Sequence, residues 1–388
     1  MKLSVIIPAR NEFPQITFTV YSIIHALEQD GFTHKDFEII IVDNCSTDDI
    51  LPQRGTAGTT SYLEARGIYF NGVLRILRDP IAGNHAARNK GAEIARGEYL
   101  FFSDAHMSYR PGFFKEMIKT IDESGGLFHG TIGWLGAYPP VARGLGFSYT
   151  IKLGEEWKGT WNNYYLADDW WYIPSQGHCS VGVRKDQFFK FGGYPKIHRT
   201  YGGGEFYMDM KWWMFGSCVT VNPKCIGYHL SSGRGYSYNH TDYLENVLGC
   251  SYALGADDWR ERTYINSIRH KNKATMDAVM KRNEKEYAED REFVKKMKKY
   301  DFNQLLLDKP WDKKNKERHG KSNGAMLIYH YTWMDLLLQS PIALDAYRRS
   351  KYQKDLEKFI EENLNEVVYM YNKFDEKKVK ELKAKIYG

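Results

Sequence analysis

The feature that most constrains the fold is the segment EYLFFSDAH, residues 98–106, in which a short apolar run ends in acidic and imidazole side chains. Residues 99–102 predict a buried β-strand. Asp104 and His106 follow at i and i+2, so in extended backbone both side chains lie on the same side of the chain. Because open α/β sheets bind ligands at the carboxyl ends of their strands, the pair could hold a divalent cation there. In the alternative interpretation Asp104 caps the next turn and His106 is a surface histidine.

The chain before this segment alternates between apolar runs typical of strands and 3.6-residue periodicity typical of helices. The predicted strands are residues 3–8, 37–42 and 73–77, and the predicted helices are residues 16–27 and 83–92. This order predicts an α/β fold, a Rossmann-like, mostly parallel sheet flanked by helices. We expect Asp43, Arg88 and Asp104 to converge at one edge of that sheet.

Composition limits the class of protein. The chain has 388 residues, 43% of them hydrophobic, as in globular proteins. Five cysteines without CxxC spacing indicate neither a disulfide framework nor a zinc cluster. No apolar stretch approaches the roughly 20 residues of a membrane span, and the first apolar run is too short for a signal peptide. We therefore expect a cytoplasmic protein, in the host cytoplasm if a phage encodes it.

The charge is uneven along the chain. Residues 1–255 carry 24 basic and 25 acidic residues, whereas residues 256–388 carry 30 and 23. A basic surface in the last third could face nucleic acid, anionic lipid or an acidic polymer, and an ordinary Lys/Glu-rich helical surface is the alternative. Helical patterns there predict an all-α extension. They cover residues 259–300, 325–339 and 342–386, with a basic connector at residues 309–316.

Motifs in the first half resemble a known family. They are SVIIP at residues 4–8 with Asn11 and Glu12, IVD at residues 41–43, Arg88 before Gly91, and FSDAH at residues 102–106. Together they resemble the nucleotide-sugar half of a GT-A fold glycosyltransferase and are similar to the inverting family 2 enzymes. The Asp-x-His form resembles more closely the catalytic domain of the polypeptide N-acetylgalactosaminyltransferases, since many other relatives have Asp-x-Asp.

The second half extends the resemblance to about residue 235. Residues 178–194 look like the acceptor side of those enzymes, and Glu205 after two glycines is similar to their Gly-Gly-Glu segment. Residues 219–223 and 226–230 resemble a strand pair that delivers a histidine, here His229, to the metal. The chain differs from the family pattern in its additional glycine, and in having Asp209 four residues after Glu205 rather than three.

The resemblance implies that Asp104, His106 and His229 hold a divalent cation against the diphosphate of a donor, with a UDP-sugar expected. One carboxylate and two imidazoles favour Mn²⁺ over Mg²⁺. The residues expected to bind the nucleotide sugar are Pro8, Arg10, Glu12, Asp43, Arg88 and Asp104.

Three of these assignments have simpler alternatives. Asp43, expected to accept a hydrogen bond from the base, could only cap a turn. Arg88, expected on the ribose or diphosphate side with Arg10, could lie on a solvated helix face. His229 could be a core histidine.

Glu205 and Asp169 are the predicted catalytic carboxylates. In an inverting displacement a base must take the proton of the acceptor hydroxyl, and Glu205 is the first candidate. In a retaining mechanism the departing phosphate can take that proton, and Glu205 would only orient substrates. Asp168 and Asp169 are alternative bases, or caps of a helix N-terminus.

Two further segments are candidates for substrate contacts. The stretch between His129 and Gly177 is rich in aromatic residues, which stack on sugars or bases or pack beneath a long loop. Residues 231–236 have the glycine content of a mobile lid.

The resemblance implies a GT-A domain at residues 1–255, divided into a nucleotide-sugar half at 1–106 and an acceptor half at 107–255. The change in composition predicts a basic helical extension at 256–388. We expect a hexosyl- or N-acetylhexosaminyltransferase acting on a hydroxyl of a saccharide, a protein or, as in phage-type DNA modification, a hydroxylated base in DNA. A catalytically inactive GT-A-fold binding protein is the alternative.

Overall fold

The computed structural model describes most of the first 321 residues. The described ranges are residues 1–48, 58–65, 72–80, 83–135, 147–152, 155–161, 166–230, 237–268 and 271–321. The predicted lid at residues 231–236 and the predicted helices at 325–339 and 342–386 lie outside them.

Nine strands of the described chain form one mixed sheet in the order β3-β2-β1-β4-β10-β6-β11-β5, with β9 paired to β11. Strands β3, β2, β1 and β4 are parallel, as predicted, and β10 is antiparallel to β4. The strands of this sheet are β1 (Leu3–Ala9), β2 (Phe37–Asn44), β3 (Leu74–Asp79), β4 (Tyr99–Ser103), β5 (Met107–Tyr109), β6 (Leu127–Leu135), β9 (Trp171–Tyr172), β10 (Ser180–Arg184) and β11 (Val219–Leu230). Strands β7 (Phe147–Lys152) and β8 (Glu155–Trp161) form a separate hairpin.

Helices cover both faces of the sheet. They are α1 (Gln15–Gln29), α2 (Ser61–Ala65), α3 (Asn84–Ile94), α4 (Phe113–Ser124), α5 (Lys185–Lys190), α6 (Gly204–Met214), α7 (His240–Leu254), α8 (Asp257–Ser267), α9 (Lys273–Glu286), α10 (Ala288–Met297), α11 (Phe302–Asp308) and α12 (Pro310–His319). None of the described helices is both long enough and apolar enough to cross a bilayer.

The continuous apolar runs of the central strands follow from burial on two faces. Side chains alternate along a strand, so neighbouring residues enter different cores. Ile6, Ile40 and Val42 pack with α3 and α6 in one core, whereas Val5 and Ile7 pack with α1 and α4 in the other. The sheet is therefore buried on both faces by apolar side chains.

Two sequence predictions differ from the structure. The predicted strand pair at residues 219–223 and 226–230 is one strand, β11, whose register against β6 shifts between Asn222 and Ile226. The predicted basic connector at residues 309–316 lies mostly in α12, which begins at Pro310, a favoured first helical residue. Trp311 anchors α12 because its ring is fully buried 5.5 Å from that of Trp213 in α6.

Among the described helices after residue 255, α8, α10, α11 and α12 share the core beneath α6, whereas α9 packs on α7 in a separate small cluster. Trp259, Tyr287, Phe302 and Trp311 are buried in the same cluster as the α6 side chains. A helical region here agrees with the prediction, and the division of the chain at residue 255 stays a prediction.

Helix α3 packs on the sheet at a distance that only glycine allows. A Cβ placed on Gly91 would overlap Ile6 Cγ2 and lie 3.1 Å from Val42 Cγ2, less room than carbon atoms need. The small residue therefore sets the position of α3, and with it the position of Arg88 one turn earlier.

We expect Gly91→Ala to lower the free energy of unfolding by about 1–3 kcal/mol through overpacking, although alanine favours a helix by about 1 kcal/mol. Urea unfolding measures this. Glu93→Ala, on the exposed side of α3, is the matched control and should change stability by less than about 0.5 kcal/mol. A Gly91→Ala protein as stable as the wild type would contradict the packing argument.

Candidate functional site

Asp104, His106 and His229 come together at the carboxyl end of β4. Asp104 follows β4, and His106 immediately precedes the short strand β5. Strand β5 pairs antiparallel with β11, and the Leu230 N–H donates to the His106 carbonyl at 3.0 Å. Sheet pairing therefore brings His229 beside His106 although 123 residues separate them.

The donor atoms of this trio, the ligand cluster, all lie within 4.8 Å of one another. His106 Nε2 is 3.1 Å from His229 Nε2, which is 3.7 Å from Asp104 Oδ2. The three side chains are 16–25% exposed, so the cluster is partly accessible to solvent. A carboxylate oxygen and two imidazole nitrogens suit Mn²⁺, and the geometry fits a divalent cation.

Glu12 is held against the ligand cluster. Its Oε2 lies 3.0 Å from His106 Nδ1, so His106 donates its Nδ1–H to the carboxylate. This arrangement leaves the lone pair of Nε2 facing His229, as in carboxylate–histidine–metal arrangements. The described contact of the Glu12 side chain is with His106, and its predicted contact with the nucleotide sugar stays a prediction.

Arg88 is buried beneath the cluster, so the alternative of a solvated helix face was wrong. Its side chain is 1% exposed, and Nη2 donates to Asp104 Oδ1 at 2.8 Å. Burial raises the pKa of Asp104, but the hydrogen bond from His229 and the charge of Arg88 outweigh it and hold that pKa below its usual range. Asp104 is therefore an anion whose second oxygen points toward His229. The predicted contact of Arg88 with a diphosphate stays a prediction.

The remaining predicted donor residues lie at the ends of β1 and β2. Pro8 and Asp43 belong to adjacent parallel strands. Asp43 is buried, and its Oδ1 accepts the Ser46 N–H at 3.1 Å, as expected of a turn cap. Arg10 and Glu12 lie in the β1–α1 loop, which Asn11 ties to the β2 loop by accepting the Thr47 N–H at 2.7 Å. The loops that carry these residues are thus connected.

Glu205 lies in the first turn of α6, near enough to Asp104 for the two charges to interact. Its Oε1 accepts the His178 N–H at 3.3 Å. Burial raises the pKa of Glu205, Arg88 opposes that effect, and the negative charge of Asp104 adds to it. A carboxyl group with a raised pKa near the ligand cluster is suited to general base chemistry.

Asp169, the other predicted catalytic carboxylate, contacts α12. Its Oδ2 accepts from Arg318 of α12 at 2.6 Å. Arg318 also lies over the Trp170 ring, 3.7 Å from its centroid. Among the described residues Asp169 therefore anchors α12 and makes no contact with the ligand cluster.

A second polar cluster lies in the core, and sequence reasoning missed it. Asp209 Oδ1 accepts from His129 Nε2 and from His178 Nε2, each at 3.0 Å. Its Oδ2 accepts the Ser175 hydroxyl at 2.5 Å and the Gln176 N–H at 2.9 Å. The one signal in the sequence was the position of Asp209, which lies four residues after Glu205 rather than three. Nothing in the sequence connects Asp209 with His129, 80 residues earlier.

Three comparisons with known proteins agree with this fold. Residues 4–134 match the family described as glycosyl transferase family 2. Polypeptide N-acetylgalactosaminyltransferase 3 of Drosophila melanogaster is 25% identical over 282 residues, 66% of this chain and 39% of the relative. An uncharacterized glycosyltransferase of Haemophilus influenzae is 20% identical over 269 residues, 69% of this chain and 78% of the relative.

Among solved structures, GalNAc-T7 with UDP, GalNAc and Mn²⁺ superimposes with a TM-score of 0.58 at 18% identity, covering 74% of this chain and 55% of that chain. The present chain thus spans well under two thirds of the fly enzyme and of GalNAc-T7. The mixed sheet and these similarities show a GT-A-like fold, in which residues 4–134 are similar to glycosyl transferase family 2.

Proposed function

We propose that this protein transfers a sugar from a nucleotide diphosphate sugar, a UDP-sugar, to a hydroxyl acceptor with the help of Mn²⁺. The observation that carries the proposal is the convergence of Asp104, His106 and His229 within 4.8 Å at the carboxyl end of β4. The similar structure of GalNAc-T7 contains UDP, GalNAc and Mn²⁺, which supports the choice of donor and metal.

The ligand cluster would hold the cation through Asp104 Oδ2 and the two Nε2 atoms. When bound, a divalent cation neutralises the negative charge that develops on the departing nucleoside diphosphate. Arg88 and Glu12 keep the ligand side chains in place. Asp43, at the adjacent strand end, is proposed to bind the base, and Pro8 and Arg10 to line the same donor pocket.

Glu205 is proposed to act on the acceptor. As a base it would take the hydroxyl proton while the acceptor oxygen attacks the sugar carbon and the diphosphate leaves, which inverts the configuration. If the outcome is retention, the departing phosphate takes the proton and Glu205 orients the acceptor. Relatives named N-acetylgalactosaminyltransferases support an N-acetylhexosamine as the sugar.

The metal proposal is tested by ligand substitutions. His229→Gln and Asp104→Asn should each weaken Mn²⁺ binding and metal-dependent UDP binding more than about tenfold, because the first removes an imidazole ligand and the second the negative charge of the carboxylate. Calorimetric titration measures both. His34→Gln is the control, since His34 pairs with Glu28 on the surface. Retention of metal and UDP binding in both variants would discard the site.

The role of Glu205 is tested by turnover. Glu205→Gln should lower kcat by about 10²–10⁴-fold if the carboxylate is the base. Because the pKa of Glu205 is raised, the wild-type rate should begin to fall, as the pH decreases, at a higher pH than an ordinary glutamate base would give. Asp169→Asn should leave turnover within about threefold. Metal and UDP-sugar binding without any turnover in the wild type would instead favour the inactive binding protein.

The acceptor is proposed from charge. The basic last third makes DNA with a hydroxylated base the acceptor to test first, although Arg260, Lys273 and Arg291 form ion pairs with Glu284, Asp277 and Asp257.

If DNA is the acceptor, its affinity should fall by at least tenfold between 50 and 200 mM salt, as expected for a few phosphate contacts. Nucleotide release from a panel of UDP-sugars should also rise when modified DNA is added. Absence of DNA binding at low salt would exclude this acceptor and leave saccharides and proteins.

A further inference from the structure

A chain of buried hydrogen bonds leads from Asp209 in α6 to the ligand residue Asp104. His178 Nε2 lies 3.0 Å from Asp209 Oδ1, and His178 Nδ1 lies 2.8 Å from the Tyr194 hydroxyl. That hydroxyl is 3.4 Å from Arg88 Nη1, and Arg88 Nη2 donates to Asp104 Oδ1 at 2.8 Å. Every intermediate side chain in this chain of bonds is buried.

Asp209 determines the direction of each bond. All four of its described partners donate, so its carboxylate is fully used and the cluster with His129 and His178 needs no cation to satisfy it. Since an ionised carboxylate only accepts, His178 carries its proton on Nε2, and Nδ1 must accept. Burial lowers the pKa of His178 to about 4, against the attraction of Asp209, which keeps the ring neutral. Tyr194 therefore donates to His178, and its oxygen accepts from Arg88.

Tyr194 and Asp104 are the described hydrogen-bond partners of the Arg88 guanidinium, whose centre also lies 5.5 Å from the Tyr194 ring centroid. Arg88 donates to Asp104 Oδ1, whereas Asp104 Oδ2 faces His229. The orientation of Arg88 thus decides which Asp104 oxygen is free for a ligand. The backbone N–H of the same His178 holds Glu205.

We propose that Tyr194, oriented by His178 and Asp209, is a positioning residue for the metal site, which acts by fixing Arg88 and through it the free oxygen of Asp104. This inference rests on the proposed metal-dependent function. It concerns neither the donor nor the acceptor, so it can be tested by metal binding alone.

The test is Tyr194→Phe in the full chain, which removes one hydroxyl and keeps the ring. We expect about tenfold weaker Mn²⁺ binding, measured by electron paramagnetic resonance of free Mn²⁺, because residues behind the ligands typically contribute 10–100-fold. Tyr287→Phe is the matched control. Tyr287 is equally buried, and its hydroxyl has no hydrogen-bond partner among the described residues.

A second variant tests the chain of bonds. His178→Phe keeps the ring and the backbone N–H for Glu205 but offers no donor to Asp209 and no acceptor to Tyr194. It should weaken Mn²⁺ binding by itself and add little to Tyr194→Phe, because both break the same connection.

Three outcomes are separable. A wild-type protein that does not bind Mn²⁺ would reject the proposed function. If the wild type binds Mn²⁺ and both Tyr194→Phe and Tyr287→Phe keep an Mn²⁺ affinity within twofold of it, only the positioning role is rejected. A Tyr194→Phe protein that loses stability in urea but keeps its Mn²⁺ affinity would also reject it, since the hydroxyl would then serve only the fold.

Discussion

The buried ion pair between Arg88 and Asp104 is the interaction on which the site depends. A guanidinium that is 1% exposed cannot be left without partners, because an uncompensated buried charge costs several kcal/mol. The fold gives it one carboxylate, Asp104 after β4, and one hydroxyl, that of Tyr194, whose backbone N–H donates to Asn89 of α3. Gly91 lets α3 approach β1 and β2 closely enough for this contact. The close packing of one helix therefore controls the electrostatics of a cluster that is partly exposed.

The same pair organises the charges around the site. The negative charge of Asp104 adds to the effect of burial in raising the pKa of Glu205, and the charge of Arg88 lowers the pKa of both carboxyl groups. Asp104 stays ionised because it also faces two histidines, whereas Glu205 has one backbone donor and a raised pKa. Two acids with different environments can thus take different roles, one as a permanent anion and one as an exchangeable proton acceptor.

Sheet order explains why these groups meet. Strands β1, β2 and β4 are parallel and deliver their loops to one edge, and the antiparallel pairing of β5 with β11 adds His229 from the second half. Four of the described helices after residue 255, α8, α10, α11 and α12, pack beneath α6, which carries both Glu205 and Asp209. The C-terminal helices thus support the element that carries the proposed base, even though they carry none of the predicted site residues.

The sequence by itself determined the β-α order, the two-sided burial of the strands and the Asp104/His106 pair, because each depends on residues a few positions apart. The resemblance of the motifs to a known family was enough to predict that His229 joins this pair. Only the tertiary structure decided that Glu12 supports His106, that Arg88 is buried, that Asp169 pairs with Arg318 and that Tyr194 connects His178 to Arg88. The partners in three of these contacts are separated by 94, 106 and 149 positions in the sequence. Local periodicity does not predict which of such distant side chains the packed sheet brings together.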